Sequence, residues 1–187
     1  MLFEKEHKDM ENSGAPAEKL LMGIAAYGRT FTLTSATNNG VAAPTSGVGE
    51  PGLYTGEGGF WSYYEVHSTE ILVLFVYRHW SEGQEVPYGS AGTTWVGFDN
   101  PDSVEAKANV IKTYNYGGAA VWAMDLDDFR GEFCNQGPYP LTTRLHKLLV
   151  TGKQLLSYST AFICFLTPLH FYPDSNICPV FPLYYCC

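Results

Sequence analysis

Gly117-Gly118-Ala119-Ala120-Val121-Trp122-Ala123-Met124-Asp125-Leu126-Asp127-Asp128-Phe129 decides the reading of the fold. Two glycines follow a helical pattern and lead into a short apolar run with one tryptophan. Three carboxylates then arrive at Asp125, Asp127 and Asp128. That order predicts a helix end, a buried strand and a polar strand exit. In an α/β barrel, the strand exits at the C-terminal face build the binding site. A large aromatic beside carboxylates suits a sugar ring, which offers an apolar face and a rim of hydroxyls.

Working outward, Leu20-Leu21-Met22-Gly23-Ile24-Ala25-Ala26-Tyr27 is a second apolar run, bounded by Lys19 and by Gly28-Arg29. Apolar residues on both faces suit a parallel strand, whose exit places Tyr27 and Arg29 at the mouth. Between the two runs, residues 30–54 are rich in Thr, Ser, Asn, Gly and Pro and predict turns and short strands. Asn100-Pro101-Asp102-Ser103 opens a helix, for which Asp102 and Glu105 have N-cap and N3 spacing. Val104, Ala108 and Ile111 give it one apolar face, and Gly117 is expected to end it. Pro140 starts a last helix with an apolar stripe of Leu141, Leu145, Leu148 and Leu149. Arg144, His146 and Lys147 favour its C-terminal end, with Gly152 as a stop. The polar N-terminus, 1–13, holds no apolar stretch of secretory type and could be the tail of an opening helix.

Composition sets limits. With 187 residues, 45% hydrophobic and 16% charged, the chain is long and apolar enough for a core. Eleven basic against 19 acidic residues give a net charge of −8, which argues against nucleic acid or an anionic membrane as partner. The aromatic content, 15%, fits either an aromatic-rich core or carbohydrate binding.

GGAAVWAMDLDDF, followed by FCNQG, resembles the last barrel strand of glycoside hydrolase family 18, in the manner of secreted animal chitinases. GAPAEKLLMGIAAYGRTF, AAPTSGVGEPG, EGGFWSYYEV, QEVPY and WVGFDNPDS resemble further segments of the family in the same order. The resemblance runs over about 14–150. It implies an α/β fold: the C-terminal part of a (β/α)8 TIM barrel with an α+β insertion at about 30–100. A whole barrel of this kind takes ~250 residues, so the resemblance implies a fragment. Segment 1–13 matches poorly and 151–187 not at all.

The same resemblance implies chitin or a chitooligosaccharide as partner, an extracellular location and no cofactor; oligomeric state stays open. Trp122 matches the tryptophan that floors the subsite of the reacting sugar. Tyr27 and Arg29 match cleft residues, against the alternatives that Tyr27 caps the core and Arg29 pairs locally. Glu57 matches a glutamate that would pair with Arg29 and lock the cleft wall; its alternative is an exposed loop carboxylate. Asp125, Asp127 and Asp128 read more readily as strand-exit caps and helix partners. Calcium-loop alternation is missing around them, so no metal is expected.

Family 18 chemistry is substrate-assisted. Its acid is the last residue of a D-x-x-D-x-D-x-E motif, which gives its proton to the leaving oxygen while the preceding Asp orients the N-acetyl group. Asp125, Asp128 and Glu132 fit three of its positions, but Arg130 puts a cation where an acceptor is needed. These residues belong to the eighth strand's own WAxDLDDF pattern. No catalytic residue is therefore assigned to this chain. The rival reading is a chitinase-like lectin that binds without cutting, and a third is a product that neither folds nor binds.

Residues 67–83 depart from the resemblance. His67 stands where the family has a cysteine that pairs with that of FCNQG, which implies a free Cys134 and a few kcal/mol less stability. His67 and Cys134 alone are too few for zinc. The run Ile71–Tyr77 is strongly β-prone. The tail carries Cys164, Cys178, Cys186 and Cys187, fewer than a cysteine-knotted chitin-binding module needs, and Leu155–Leu166 is too short for a membrane span of ~20 residues. The tail is expected to be translated non-coding sequence.

Overall fold

Val121, Ala119 and Ala120 are buried on both faces of their strand, as an apolar run between two layers must be. A computed structural model of the chain describes residues 2–68, 77–151 and 162–165. In it β1 (Leu21–Ala25) lies parallel to β8 (Gly118–Trp122), with Leu21 opposite Gly118 and Ala25 opposite Trp122. Met22 and Ile24 of β1 point into the core while Leu21 and Gly23 are part-exposed. The expected single strand to Tyr27 therefore ends two residues earlier, and Tyr27 opens another element.

That element is β2 (Tyr27–Leu33), in a second sheet. With β3 (Thr45–Val48), β4 (Phe60–Ser62), β5 (Tyr77–Ser81), β6 (Val86–Ala91) and β7 (Thr94–Gly97) it forms an antiparallel array in the order β3-β2-β7-β6-β5, β4 also pairing with β2. Trp61, Val66, Val96 and Phe98 make its small core. Residues 71–76 of the β-prone run lie outside the described residues; Tyr77 opens β5.

Helix α1 (Leu2–Asn12) opens the chain, in line with the expected helix tail. The short α2 (Tyr63–His67) follows β4. Helix α3 (Pro101–Thr113) buries Val104, Ala108 and Ile111, the stripe read from the sequence. Its cap differs from expectation: Asn100 is the N-cap and Ser103 its reciprocal partner, at 2.8 and 2.9 Å. Pro101 needs no N–H at the first position, which fixes the cap at the residue before it. Asp102 and Glu105 are free for other contacts, and Glu105 ion-pairs with Arg144.

Gly117 does not end α3 either. The helix stops at Thr113, and Asn115 takes the left-handed conformation with φ 55°. Gly117 serves a close approach: a Cβ there would lie 2.3 Å from the Glu18 carbonyl oxygen, and its N–H donates to the carbonyls of Leu20 and Ala17. Helix α4 (Pro140–His146) has Pro140 at its first position and continues into a π turn, Lys147–Thr151. Leu141, Leu145 and Leu149 are buried and Leu148 packs beside them; Gly152 lies outside the described residues. The principal core unites α3, α4, β1 and β8.

The tail contributes one unexpected element. β9 (Phe162–Phe165) pairs parallel to β8, Gly118 opposite Phe162 and Val121 opposite Phe165. The barrel-type sheet thus runs β1-β8-β9. Among the described residues no helix is long and apolar enough to cross a membrane.

Candidate functional site

The site grows from the C-terminal end of β8. Trp122 is the last residue of the strand and is part-exposed; the Trp122–Ala123 peptide is cis. Its carbonyl accepts the Ala26 N–H at 2.9 Å, and the Ala26 carbonyl accepts the Tyr63 N–H at 3.0 Å. These two bonds tie the exits of β8 and β1 to the start of α2, and so bring Trp122, Tyr27 and the second sheet to one end of the parallel strands.

Tyr27 is 4% exposed, so it carries much of the core-capping alternative. Its ring lies against Phe60, centroids 4.8 Å apart. The Arg29 guanidinium sits over both rings, 5.4 Å from Tyr27 and 5.1 Å from Phe60. A cation over aromatic faces is held by the ring quadrupole. The expected Arg29–Glu57 ion pair is not formed among the described residues. Glu57 is exposed in the loop before β4, where water solvates its charge and leaves little drive to pair.

The acidic triplet divides in function. Asp125 is exposed at the strand exit. Asp127 is fully buried and caps α4, whose N-cap Tyr139 offers no side-chain acceptor: its carboxylate accepts from the N–H of Thr142 at 3.0 Å and Leu141 at 3.4 Å. Burial pushes its pKa up and these N–H bonds oppose the shift. Asp128, equally buried, accepts four backbone N–H groups, from Gly131, Glu132, Phe133 and Cys134, at 2.8–3.2 Å. With every oxygen engaged, Asp127 and Asp128 shape the exit and do not present themselves to a ligand.

Two features escaped the sequence reading. Glu65 is 1% exposed and accepts from the N–H groups of Tyr54, Thr55 and Ser62 and from the Ser62 hydroxyl. Burial alone would raise its pKa, but the N–H donors outweigh it and hold the carboxyl below the ordinary value. Ser62-x-x-Glu65 is a capping box, and that spacing was the available signal. The second feature is an aromatic wall. Tyr64 stacks on Phe133 at 4.9 Å and meets Tyr54 and Phe129 edge-on, with Asp125 close enough to raise the Tyr64 pKa further beyond the effect of burial. Tyr54 is 58% exposed.

Cys134 is a free thiol. Burial, and then the neighbouring Asp128, push its pKa up, which keeps it protonated and unreactive. His67 stacks on Tyr63 at 4.2 Å and meets Phe98 edge-on. Among the described residues no group of three or more His, Cys, Asp or Glu could hold a metal ion.

A parallel sheet with an aromatic strand exit and an antiparallel sheet joined to it at the same end defines part of a barrel-type α/β protein. The chain belongs to the glycosyl hydrolases family 18, whose model matches residues 3–127. It is similar to Chitotriosidase-1 of Mus musculus, 49% identical over 136 residues, which cover 73% of this chain and 28% of that protein. It is also similar to the oviduct-specific glycoprotein of Mesocricetus auratus, 48% identical over 142 residues, 76% of this chain and 21% of that protein. Among solved structures it is similar to human YKL-39, described as a pseudo-chitinase with retained chitooligosaccharide binding properties. That match has a TM-score of 0.74 and 41% identity, over 79% of this chain and 39% of the other. The neighbours' fold is the TIM barrel, of which this chain spans a part.

Proposed function

We propose that the chain contributes part of a chitin-binding cleft, with Trp122 as the floor and Tyr27, Arg29 and Glu57 as the wall. The observation that carries this reading is the part-exposed Trp122 at the end of β8, within the stretch that the family model matches. On this reading residues 14–150 are the partial catalytic domain and the second sheet is its α+β insertion. The whole protein of this type hydrolyses β-1,4-linked N-acetylglucosamine polymers with retention, outside the cell, and this chain alone does not, because the D-x-x-D-x-D-x-E acid is not in its sequence. The ligand is chitin or a chitooligosaccharide, without cofactor. The lectin reading is favoured by one specific observation: the likeness to YKL-39, a pseudo-chitinase that retains oligosaccharide binding.

Titration of the purified chain with chitotetraose, followed by tryptophan fluorescence, tests the proposal. Trp122→Ala is expected to weaken binding at the cleft on the order of tenfold or more, the scale of one lost aromatic platform. No release of shorter sugars is expected from the chain by itself. An equal affinity for Trp122→Ala and the unaltered chain sinks the floor assignment; release of N-acetylglucosamine oligomers sinks the non-catalytic one.

A further inference from the structure

A second groove lies away from the Trp122 end, between α3 and the β5–β6 hairpin, with a cavity volume of about 610 Å³. Helix α3 supplies one wall through a stripe that borders its core face and shares Val110 and Tyr114 with it. Glu105, Asn109 and Thr113 recur every four residues along the polar edge; Ala106, Val110 and Tyr114 run parallel to them along the apolar edge. At 1.5 Å per residue the stripe is roughly 12 Å long. The hairpin supplies the other wall through Trp80 and Glu85. Trp80 is 37% exposed and pairs with Pro87 across the ladder. Glu85 is fixed at the turn by its N–H to the Ser81 carbonyl and by a left-handed φ of 50°.

The chemistry of these walls selects a ligand class. Two aromatic side chains and two aliphatic ones form an apolar floor, and an amide, a hydroxyl and two carboxylates form the rim. Among the described residues the lining holds no Lys or Arg, and two neighbouring cations are already engaged, Arg144 with Glu105 and Lys8 over the Tyr114 ring. The Glu105 charge is already met by Arg144, which leaves Glu85 as the one carboxylate of the lining without an ion pair among the described residues. A small cation would gain little from such a site. A neutral pyranose matches it: its C–H face stacks on the indole, and its hydroxyls donate to the carboxylates and accept from the Asn109 amide.

We propose that this groove is a second saccharide site, independent of the Trp122 cleft and long enough for about two rings. It lies partly in the stretch where the sequence departs from the family resemblance, which supplies Trp80. It does not need the cleft reading to be right: the two sites use different tryptophans.

The test is a titration of the full 187-residue chain with chitotetraose, and in parallel with cellotetraose, observed through the tryptophan indole N–H resonances. The Trp80 indole, assigned by its loss in Trp80→Ala, is expected to shift on titration, and to do so equally in Trp122→Ala. Trp80→Ala is expected to weaken this second site on the order of tenfold while the Trp122 shift persists. Should Trp80→Ala fold poorly, Asn109→Ala alters an exposed helical residue and is expected to weaken the same shift. An unmoved Trp80 indole with both sugars overturns the proposal, as does a Trp80 indole that moves with tetramethylammonium but with neither sugar. A Trp122 indole that stays still while Trp80 shifts overturns the cleft reading alone.

Discussion

Glu65 is the residue whose environment makes the sharpest demand. Its carboxylate gathers the N–H groups of Tyr54, Thr55 and Ser62, and Gly52 lies so close that a Cβ there would collide with its Oε1. Because its folded pKa lies below the ordinary value of 4.5, the stability it contributes is complete above that value and is lost as pH falls through the folded pKa. Asp127 acts in the opposite sense. Its raised pKa means the folded state binds the proton more readily, so its share of stability declines as pH rises from 3.8. Thermal melts across the acid range are expected to show the unaltered chain losing more stability on acidification than Glu65→Gln. The variant itself is expected to be less stable at neutral pH by on the order of 2–3 kcal/mol, since an amide cannot accept from every one of these donors. Parallel pH profiles for the two proteins would refute the assignment. The buried Lys107–Asp99 pair, 2.6 Å apart with the Ser103 hydroxyl also donating to Asp99, is a further interaction that ties the β7 exit to α3. It was invisible in the sequence, because Lys107 reads as an ordinary solvated helix lysine until the fold turns it inward.

At the scale of elements, the sequence was most legible where periodicity or backbone chemistry is local. The Val104, Ala108, Ile111 stripe and the helix start at Pro140 need only their own neighbours to be read, and both stand in the structure. The identity of the α3 cap was misread by two residues because Asp102 offered an acceptor at a plausible spacing, whereas the proline ring had already set the boundary. Gly117 was misread for a different reason. Its role is a contact with the loop before β1, and long-range contacts leave no local trace. Gly117→Ala is therefore expected to destabilise the chain by roughly 3 kcal/mol or more, because backbone must shift, whereas an ordinary helix-terminal glycine would tolerate alanine at about 1 kcal/mol. Urea unfolding of the single variant decides between the two. The site was legible in the same uneven way: Trp122, Tyr27 and Arg29 come to one end of the sheet, but Arg29 turns from β2 onto the Tyr27 and Phe60 rings, while Glu57 stays exposed in its loop.

For the molecule as a whole, the exposed edge of a parallel sheet is the dominant hazard. Strand β8 has β1 on one side and β9 on the other, so the tail covers that side of β8 and the short β9 becomes the edge. Deletion of 152–187 is expected to leave β8 open on that side and to raise the aggregation rate on warming, read by light scattering at matched concentration. Equal scattering from the full and shortened chains would show that β9 protects nothing.

The register of β2 against β7 has one more consequence. Arg29 lies opposite Gly97, so the polypeptide leaves β1 for the second sheet at Tyr27 and comes back beside that point of departure before α3 begins. To β1 and α3, which makes the crossover to β8, the whole excursion is equivalent to one short link. Its content and length are thereby uncoupled from the alignment of the strands that bracket it, and substitutions or insertions in the 67–83 stretch can accumulate without shifting Ala25 from Trp122.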